Sequence, residues 1–392
     1  MERILGDNTQ DTSLQRDWFF EFIVYIYFAI TFFEPYLNGV LGSVTKYYIF
    51  AMIMYALFKN RFRIRVYSFH KTFLVWLSYL FISLLWTDNY HIFRINVLSQ
   101  VGMIGLLIIL TMESYRYEFV ENIAKVMWLS SFIISFLAMF FGQSYRGGSE
   151  LRQVLVLFGQ EADPNNQAAF SLIGLSIALY YLIYENKYRI LAITTIAVNA
   201  ISMFLTGSRG GLVSFIAIVV FVILFNPSDA KIISKIRKTV VVILAIVVVV
   251  FVLRRYIPED IVDRLIGIDS YAGGSERTNI WNNGWRLLSE DLNLVFGAGW
   301  GCYFGYNGFN SAMHNTYIAM LCDVGIIGSL IFFIPIVCKL KLMMKGKEYL
   351  PVMLVLAGFC PSIFLDAINK RFFWNVVMFL FIYSMSLHKY SK

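Results

Sequence analysis

The chain has 392 residues, of which 58% are hydrophobic and 15% are charged, against about 25% charged residues in an ordinary soluble domain. A soluble domain must cover its surface with polar side chains, so this composition excludes a water-soluble globular fold, a disordered tail and a disulfide-stapled secreted module. The net charge of +8 is typical of the basic loops of a polytopic membrane protein, and we do not expect nucleic-acid binding.

Apolar stretches long enough to cross a hydrocarbon core of about 30 Å recur along the chain. They predict an all-α polytopic membrane protein that forms one domain, residues 1–392, with about twelve transmembrane helices. Because the N-terminal stretch is polar, we expect no cleaved signal peptide. The predicted helices cover residues 18–36, 40–58, 71–86, 95–112, 119–141, 165–184, 189–206, 210–226, 238–256, 315–337, 349–367 and 372–387.

The basic residues give this topology an orientation. If both termini are cytoplasmic, every long cluster of Lys and Arg falls on the cytoplasmic side, as the positive-inside rule requires. Two long connections, residues 142–164 and 257–314, then lie outside. Long irregular connections are uncommon in compact domains, so we expect these two to carry the function.

The outer segments differ from the inner ones in the kind of basic residue. They contain ten Arg and two Lys, whereas the inner segments contain eight Arg and twelve Lys. A guanidinium group presents a planar fork that bonds two oxygens at once, so this bias indicates a ligand with phosphate groups. Pairing of these Arg with outer Asp and Glu is the alternative. The ten are Arg94, Arg146, Arg152, Arg209, Arg254, Arg255, Arg264, Arg277, Arg286 and Arg371.

The sixth predicted helix begins at Asp163-Pro164-Asn165-Asn166-Gln167. Asp is a favoured cap and Pro a favoured first helical residue, so the start of the helix is well defined. The amide groups of Asn165 and Asn166 offer donors and acceptors suited to sugar hydroxyls. A role in helix capping alone is the alternative.

The eighth predicted helix begins within Thr206-Gly207-Ser208-Arg209-Gly210-Gly211. Ser208 can cap this helix, whose first N–H groups and partial positive charge face outward. Gly210 permits a ligand to approach the backbone and Arg209 adds a full charge, which together predict an anion site. The alternative is a tight turn whose Arg extends to water.

The longer outer connection contains a further helical pattern. Trp281, Trp285 and Leu288 are spaced by four and three residues, and Arg277 and Arg286 lie on or near this helix. The segment after it, Gly297–Gly301, is predicted to be a flexible turn that contains Trp300. Tyr303, Phe304, Tyr306 and Phe309 follow. Aromatic rings in an exposed loop suit the apolar faces of sugars, although packing on the membrane interface is the alternative for about half of them.

The tenth predicted helix begins at Met313-His314-Asn315. Of the four histidines, only His314 joins a long outer connection to the start of a helix. Histidine accepts a proton near neutral pH, so His314 is a candidate general base, with a structural role as the alternative. The sixth, eighth and tenth helices all begin outside, and their starts would form an electropositive pocket if they cluster.

These residues, taken in order, resemble a known family. The set is Trp86-Thr87-Asp88, Asp163-Pro164-Asn165, Thr206 to Gly211, Arg277 with Trp281, Gly297 to Gly301, His314-Asn315 and Asp323-Val324-Gly325-Ile326-Ile327-Gly328. It resembles the O-antigen ligase and O-antigen polymerase (Wzy-type) superfamily of bacterial membrane glycosyltransferases, most specifically over residues 160–330.

The resemblance implies a GT-C-type enzyme of the bacterial cytoplasmic membrane whose active site faces outward. It implies polyprenyl-diphosphate-linked oligosaccharides as donor and acceptor, Arg209 and Arg277 as diphosphate ligands, and His314 as general base. We expect no metal and no other cofactor. A flippase and a chain-length regulator of the same pathway are possible partners. The expected substrate contacts are Ser208, Gly210, Asn165, Asn166, Arg152, Arg286, Trp281, Trp300 and Asn315.

Three functions remain open at this point. A polymerase joins lipid-linked repeat units, whereas a ligase moves the finished glycan to a lipid A core or a protein. Some ligases of the family have two adjacent histidines, and Met313 before His314 therefore favours a polymerase. A transporter or flippase of the same lipids would place ionisable residues near the bilayer midplane. The ionisable residues in or near helices are Glu21, Glu34, Lys125, Asp323 and Asp366, most of them toward helix ends.

Overall fold

Each predicted span within the described part of the chain contains a helix in the computed structural model, although residues 364–367 of the span 349–367 are not helical. The structure describes residues 17–112, 115–144, 152–225, 261, 277–308 and 311–387. The ninth predicted helix, residues 238–256, lies outside the described residues. So do Arg146, Arg254, Arg255, Arg264 and Phe309.

The helices are numbered along the chain. They are α1 (Trp18–Leu41), α2 (Val44–Lys59), α3 (Ser68–Ile82), α4 (Tyr90–Thr111), α5 (Tyr117–Phe141), α6 (Pro164–Tyr180), α7 (Arg189–Leu205), α8 (Arg209–Leu224), α9 (Arg277–Leu288), α10 (Asn293–Phe296), α11 (Thr316–Gly346), α12 (Tyr349–Phe359) and α13 (Arg371–Leu387). Among the described residues, six helical segments are long and apolar enough to cross a membrane, and shorter apolar helices accompany them. The protein is therefore polytopic, while the count of twelve spans stays a prediction.

The connection between α5 and α6 contains a small sheet. Its antiparallel strands β1 (Gly142–Ser144), β2 (Gln153–Leu157) and β3 (Gln160–Glu161) follow one another in space as they do in sequence. The prediction of an all-α chain is wrong here. These strands are too short to show a clear two-residue period, and β1 pairs with residues up to thirteen positions away in the sequence.

Helix α6 is buried along almost its whole length. A Cβ at Gly174 would collide with the side chains of Ser131 and Asn199, so the glycine allows α5 and α7 to approach closely. The Ser131 hydroxyl donates to the Phe170 carbonyl at 2.7 Å, and Asn199 Nδ2 donates to the Ser131 hydroxyl at 3.3 Å. These contacts fix the position of α6, and with it the position of the helix start at Asp163.

Helix α11 is interrupted at Gly325, which has φ 63° and ψ −169°. The carbonyls of Cys322 and Asp323 accept the N–H groups of Ala298 at 2.8 Å and Gly299 at 3.0 Å instead of helical partners. Backbone groups in a protein of this kind must be satisfied internally. The turn Gly297–Gly301, which we predicted to be flexible, is thus fixed against the interruption in α11.

Candidate active site

The starts of α6 and α8 are joined by hydrogen bonds. Asn165 Oδ1 accepts from the Ser208 hydroxyl at 2.8 Å and from an Arg152 guanidinium nitrogen at 3.0 Å. Arg152 also donates through Nε to the carbonyl of Thr206 at 2.7 Å. The side chain of Arg152 is buried. It therefore connects the small sheet to both helix starts, and these protein acceptors engage part of its guanidinium fork.

Both predicted helix caps are present. Asp163 Oδ1 accepts the N–H groups of Asn165 at 2.8 Å and Asn166 at 3.3 Å. The Ser208 hydroxyl accepts the N–H of Gly211 at 3.1 Å. Both helices therefore begin within one cluster, and their partial positive charges add at the same place.

Arg209 and Arg277 are the first residues of α8 and α9, and their charges interact. Burial lowers the pKa of the Arg277 guanidinium, the carboxylate of Asp163 opposes this effect, and the positive charge of Arg209 lowers the pKa by a smaller amount. The two positive charges therefore repel each other. A ligand with two negative charges would relieve that repulsion and bind both groups.

Gly210 brings the start of α8 against the segment between α12 and α13. A Cβ at Gly210 would lie 2.7 Å from Phe364 Cβ, so only glycine permits this approach. Two residues further along, Asp366 Oδ2 accepts the backbone N–H of His314 at 3.2 Å. The structure thus brings the start of α8 and the start of α11 to the same end of the helix bundle.

His314 is held from two sides. Its backbone has a φ of 50°, in the left-handed region that non-glycine residues seldom adopt. The indole Nε1 of Trp281 in α9 donates to the carbonyl of Met313 at 3.0 Å. Asn315 caps α11 by accepting the N–H groups of Tyr317 at 3.0 Å and Ile318 at 3.1 Å. The contacts of Trp281 and Asn315 therefore position the histidine.

The family comparison matches the segment that contains the two arginines and the histidine. Residues 194–333 match the O-antigen ligase family model. We name this segment the O-antigen ligase domain after the family that it is similar to. This domain contains Arg209, Arg277 and His314, and the match confirms the predicted resemblance to the O-antigen ligase and polymerase superfamily. It indicates a glycosyltransferase-like enzyme of the ligase or polymerase type. A comparison with curated proteins finds no match.

Asp366 lies outside the O-antigen ligase domain and beside its histidine, and the sequence did not single it out as a site residue. Burial raises the pKa of this carboxyl group, although the backbone N–H groups of His314, Asn315 and Met313 favour its charged form. Its Oδ1 is buried and has no hydrogen-bond partner in the described structure. A single Asp between apolar residues, as in Phe364-Leu365-Asp366-Ala367, was the available signal.

The structure does not support Trp300 as a sugar contact. Its side chain is 1% exposed and packs edge-on against Trp76, with ring centroids 5.7 Å apart. The reason is that the turn Gly297–Gly301 folds onto α3 and α11 instead of extending into solvent. The exposed tryptophan of the O-antigen ligase domain is Trp285, one turn after Trp281 in α9.

Two of the predicted outer arginines lie apart from the cluster. Arg286 is exposed and follows Arg277 by nine residues, which places it about half a turn away on the opposite side of α9. Arg371 is buried, and its Nε lies 3.4 Å from a carboxylate oxygen of Glu34. Arg371 thus follows the alternative of pairing with an acidic residue.

No group of three or more His, Cys, Asp and Glu side chains in the described ranges is arranged to hold a metal ion.

Proposed function

We propose that the protein is a membrane glycosyltransferase that polymerises lipid-linked polysaccharide repeat units. It transfers a glycan from polyprenyl diphosphate to a sugar hydroxyl on the outer side of a bacterial cytoplasmic membrane, with a GT-C-type architecture and without a metal ion. The observation that supports this most directly is the electrostatic interaction of Arg209 with Arg277 at the start of α8, on the same end of the helix bundle as His314. A flippase and a chain-length regulator would act on the same lipid-linked glycans.

The two arginines bind the diphosphate of the donor. Diphosphate matches the pair because its two phosphates present oxygens to two guanidinium forks. The backbone N–H groups at the start of α8, near Ser208 and Gly210, add fixed dipoles that favour the negative charge of the diphosphate. The two arginines bind most strongly as the diphosphate leaves, because negative charge then develops on the oxygen that was bonded to the anomeric carbon.

The transfer itself is a displacement at the anomeric carbon. The acceptor hydroxyl oxygen forms a bond to this carbon, and the bond from the carbon to the diphosphate oxygen breaks. The imidazole of His314 takes the hydroxyl proton, and polyprenyl diphosphate departs with the bonding electron pair, held by Arg209 and Arg277. Asn165 accepts a hydrogen bond from Ser208, the residue before Arg209, through its Oδ1. Its Nδ2 and the amide of Asn166 are the groups that can bind sugar hydroxyls.

Asp366 and Trp281 position the general base. The carboxylate of Asp366 binds the N–H of His314, and Trp281 binds the carbonyl of Met313, one residue earlier. Together they hold a backbone conformation that His314 would rarely adopt alone. General-base catalysis depends on an accurate distance between the base and the hydroxyl, so these two contacts support catalysis indirectly.

A ligase activity is the second candidate, because the family description names O-antigen ligase. The chemistry at the diphosphate and at His314 would be the same, and only the acceptor would differ. Met313 in place of a second adjacent histidine favours the polymerase. Purified protein in vesicles with lipid-linked repeat units separates the possibilities. Longer lipid-linked glycans indicate a polymerase. Transfer only to an added lipid A core or protein indicates a ligase, and movement across the membrane without elongation indicates a transporter.

The site assignment is tested in the same assay with Arg209→Ala. Loss of one such contact should reduce the transfer rate by about 10²–10³. Arg209→Lys keeps the charge without the planar fork and should retain an intermediate rate. Arg94→Ala removes another exposed arginine, in α4, and serves as the matched control. Wild-type rates for Arg209→Ala would contradict the assignment.

A further inference from the structure

The short segment between α9 and α11 exposes apolar side chains. Leu292 is 63% exposed, Leu294 45%, Val295 37% and Phe296 42%. They lie within residues 292–296, which we call the α10 segment. In water, four neighbouring apolar residues of this kind would be a liability, and exposed apolar patches usually mark a binding surface.

The α10 segment lies against the interruption in α11. A Cβ at Gly325 would collide with the carbonyl of Val295, so the two backbones are in contact. The exposed side of α11 begins directly afterwards. It consists of Ile326, Leu330, Ile334 and Val337, whose spacing places them along one helix face. In a membrane-spanning helix such a face contacts lipid, and the α10 segment is continuous with its upper end.

The height of the junction can be measured along α3. The ammonium group of Lys339 in α11 lies 5.3 Å from the ring of Phe69, near the start of α3. From Phe69 to Trp86 the chain rises about 25 Å at 1.5 Å per residue, close to the hydrocarbon thickness of a bilayer. Trp86, and Gly297 to which it donates a hydrogen bond, therefore lie close to the boundary between hydrocarbon and headgroups.

Two aromatic side chains with polar tips donate hydrogen bonds to the last residue of the α10 segment and to the residue after it. The Tyr79 hydroxyl donates to the carbonyl of Phe296 at 2.7 Å. The indole Nε1 of Trp86 donates to the carbonyl of Gly297 at 3.2 Å. Both aromatic rings are partly exposed. Tyr and Trp are enriched where a membrane protein crosses the lipid headgroups.

The opposite side of the α10 segment is attached to the C-terminal end of α9. Asn293 Nδ2 donates to the carbonyl of Leu287, the penultimate residue of α9, at 2.9 Å. One side of the short α10 helix is therefore hydrogen-bonded to α9, and its apolar side chains lie exposed on the surface of the protein.

We infer that the α10 segment is inserted into the membrane interface, with Leu292, Leu294 and Phe296 in contact with lipid acyl chains. The occupant of this surface is the bilayer itself. The segment anchors the C-terminal end of α9 at the height of the lipid headgroups. The inference rests on contacts and exposure and holds whether or not the protein transfers glycans.

Site-directed spin labelling tests the inference. The full chain carries Cys302→Ser, Cys322→Ala, Cys338→Ala and Cys360→Ala, and single cysteines are introduced by Leu294→Cys or Leu292→Cys. The labelled protein is reconstituted in phosphatidylcholine and phosphatidylglycerol vesicles. Power saturation then compares the accessibility of each label to oxygen, which concentrates in lipid, and to a water-soluble nickel chelate.

Two further positions calibrate the measurement. Leu330→Cys reports a lipid-facing residue of α11, and Asn282→Cys reports an exposed polar position of α9. We expect labels at 292 and 294 to give an oxygen-to-nickel ratio several-fold above that of 282 and close to that of 330. A ratio at both positions that equals the ratio of 282 overturns the inference. Two positions are used so that one misfolded variant leaves the other informative.

Discussion

At the scale of single residues, His314 combines a backbone requirement with a chemical one. Its φ of 50° is tolerated by His and Asn far better than by most residues, because their short polar side chains suit the left-handed region. His314→Asn should therefore preserve the backbone while removing the base. We expect glycan transfer to fall by about 10²–10⁴, with a melting temperature near that of the wild type.

The control for this prediction is His314→Val, whose branched side chain is poorly suited to a positive φ. That variant should lose thermal stability as well as activity, and thermal unfolding in detergent distinguishes the two effects. An Asn variant that elongates lipid-linked glycans at the wild-type rate would remove His314 from the mechanism.

Asp366 should give the protein a recognisable dependence of stability on pH. Burial raises the pKa of its carboxyl group, so the folded protein binds this proton more tightly than the unfolded chain does. The free energy of unfolding must then decrease as the pH rises from the ordinary pKa of Asp through the raised one. Asp366→Asn removes this contribution, so its stability should decrease less over that range.

The measurement is a series of thermal unfolding curves from about pH 4 to pH 8 for the wild type and Asp366→Asn. The exposed Asp88→Asn, in the turn before α4, is the matched control and should follow the wild type. Parallel pH profiles for the wild type and Asp366→Asn would show that burial does not disturb this carboxyl group.

The residue-scale features that the sequence predicted are those with local causes. The caps Asp163 and Ser208 depend on neighbouring N–H groups, and both were predictable from spacing alone. Trp300 and Asp366 were not predictable in the same way. Trp300 is buried because it packs against α3, which is distant in the sequence. Asp366 contacts His314 because the chain brings it to the start of α11.

At the scale of elements, the interruption of α11 depends on one glycine. Gly325→Ala would place a Cβ against the carbonyl of Val295 and would force a side chain into a positive φ. The φ of 63° and ψ of −169° at Gly325 fall in a region that is essentially restricted to glycine, where another residue costs about 1–3 kcal/mol. We expect a lower melting temperature and displacement of the α10 segment.

Gly102→Ala in α4 is the matched control. A Cβ at Gly102 would lie 4.0 Å from its nearest neighbour, Ile49 Cγ2, which is an ordinary contact. Replacing a helical Gly by Ala at such a position should be neutral or stabilising by about 0.5–1 kcal/mol. Equal melting temperatures for the two variants would mean that the interruption at Gly325 does not require glycine.

Hydropathy predicted the helices well because each one must satisfy its own backbone in lipid, which makes a long apolar stretch a sufficient signal. It could not predict the interruption of α11. Gly325 lies inside a long apolar stretch, and glycine is tolerated in membrane helices. The break exists because the turn Gly297–Gly301 supplies the missing hydrogen bonds, and no local pattern reveals that partner.

At the scale of the whole molecule, the direction in which each helix crosses the membrane determines which helix starts can form the site. Helices α6, α8 and α11 were predicted to begin on the same side. The structure joins the starts of α6 and α8 through Asn165, and brings α11 to them through Asp366. Counting spans could predict a common side but not the contacts, which depend on Gly210 and on the buried Arg152.

Orientation in the membrane follows from the same count and can be tested directly. The basic clusters predict that the end carrying α9 faces outward and that the end carrying Lys347 faces the cytoplasm. In the cysteine-free background, a membrane-impermeant maleimide should label Ser289→Cys in intact spheroplasts. It should label Lys347→Cys only after permeabilisation, since both positions are exposed but lie on opposite sides. The reverse pattern would place the arginine pair in the cytoplasm, where a glycan donor delivered to the outer leaflet could not reach it.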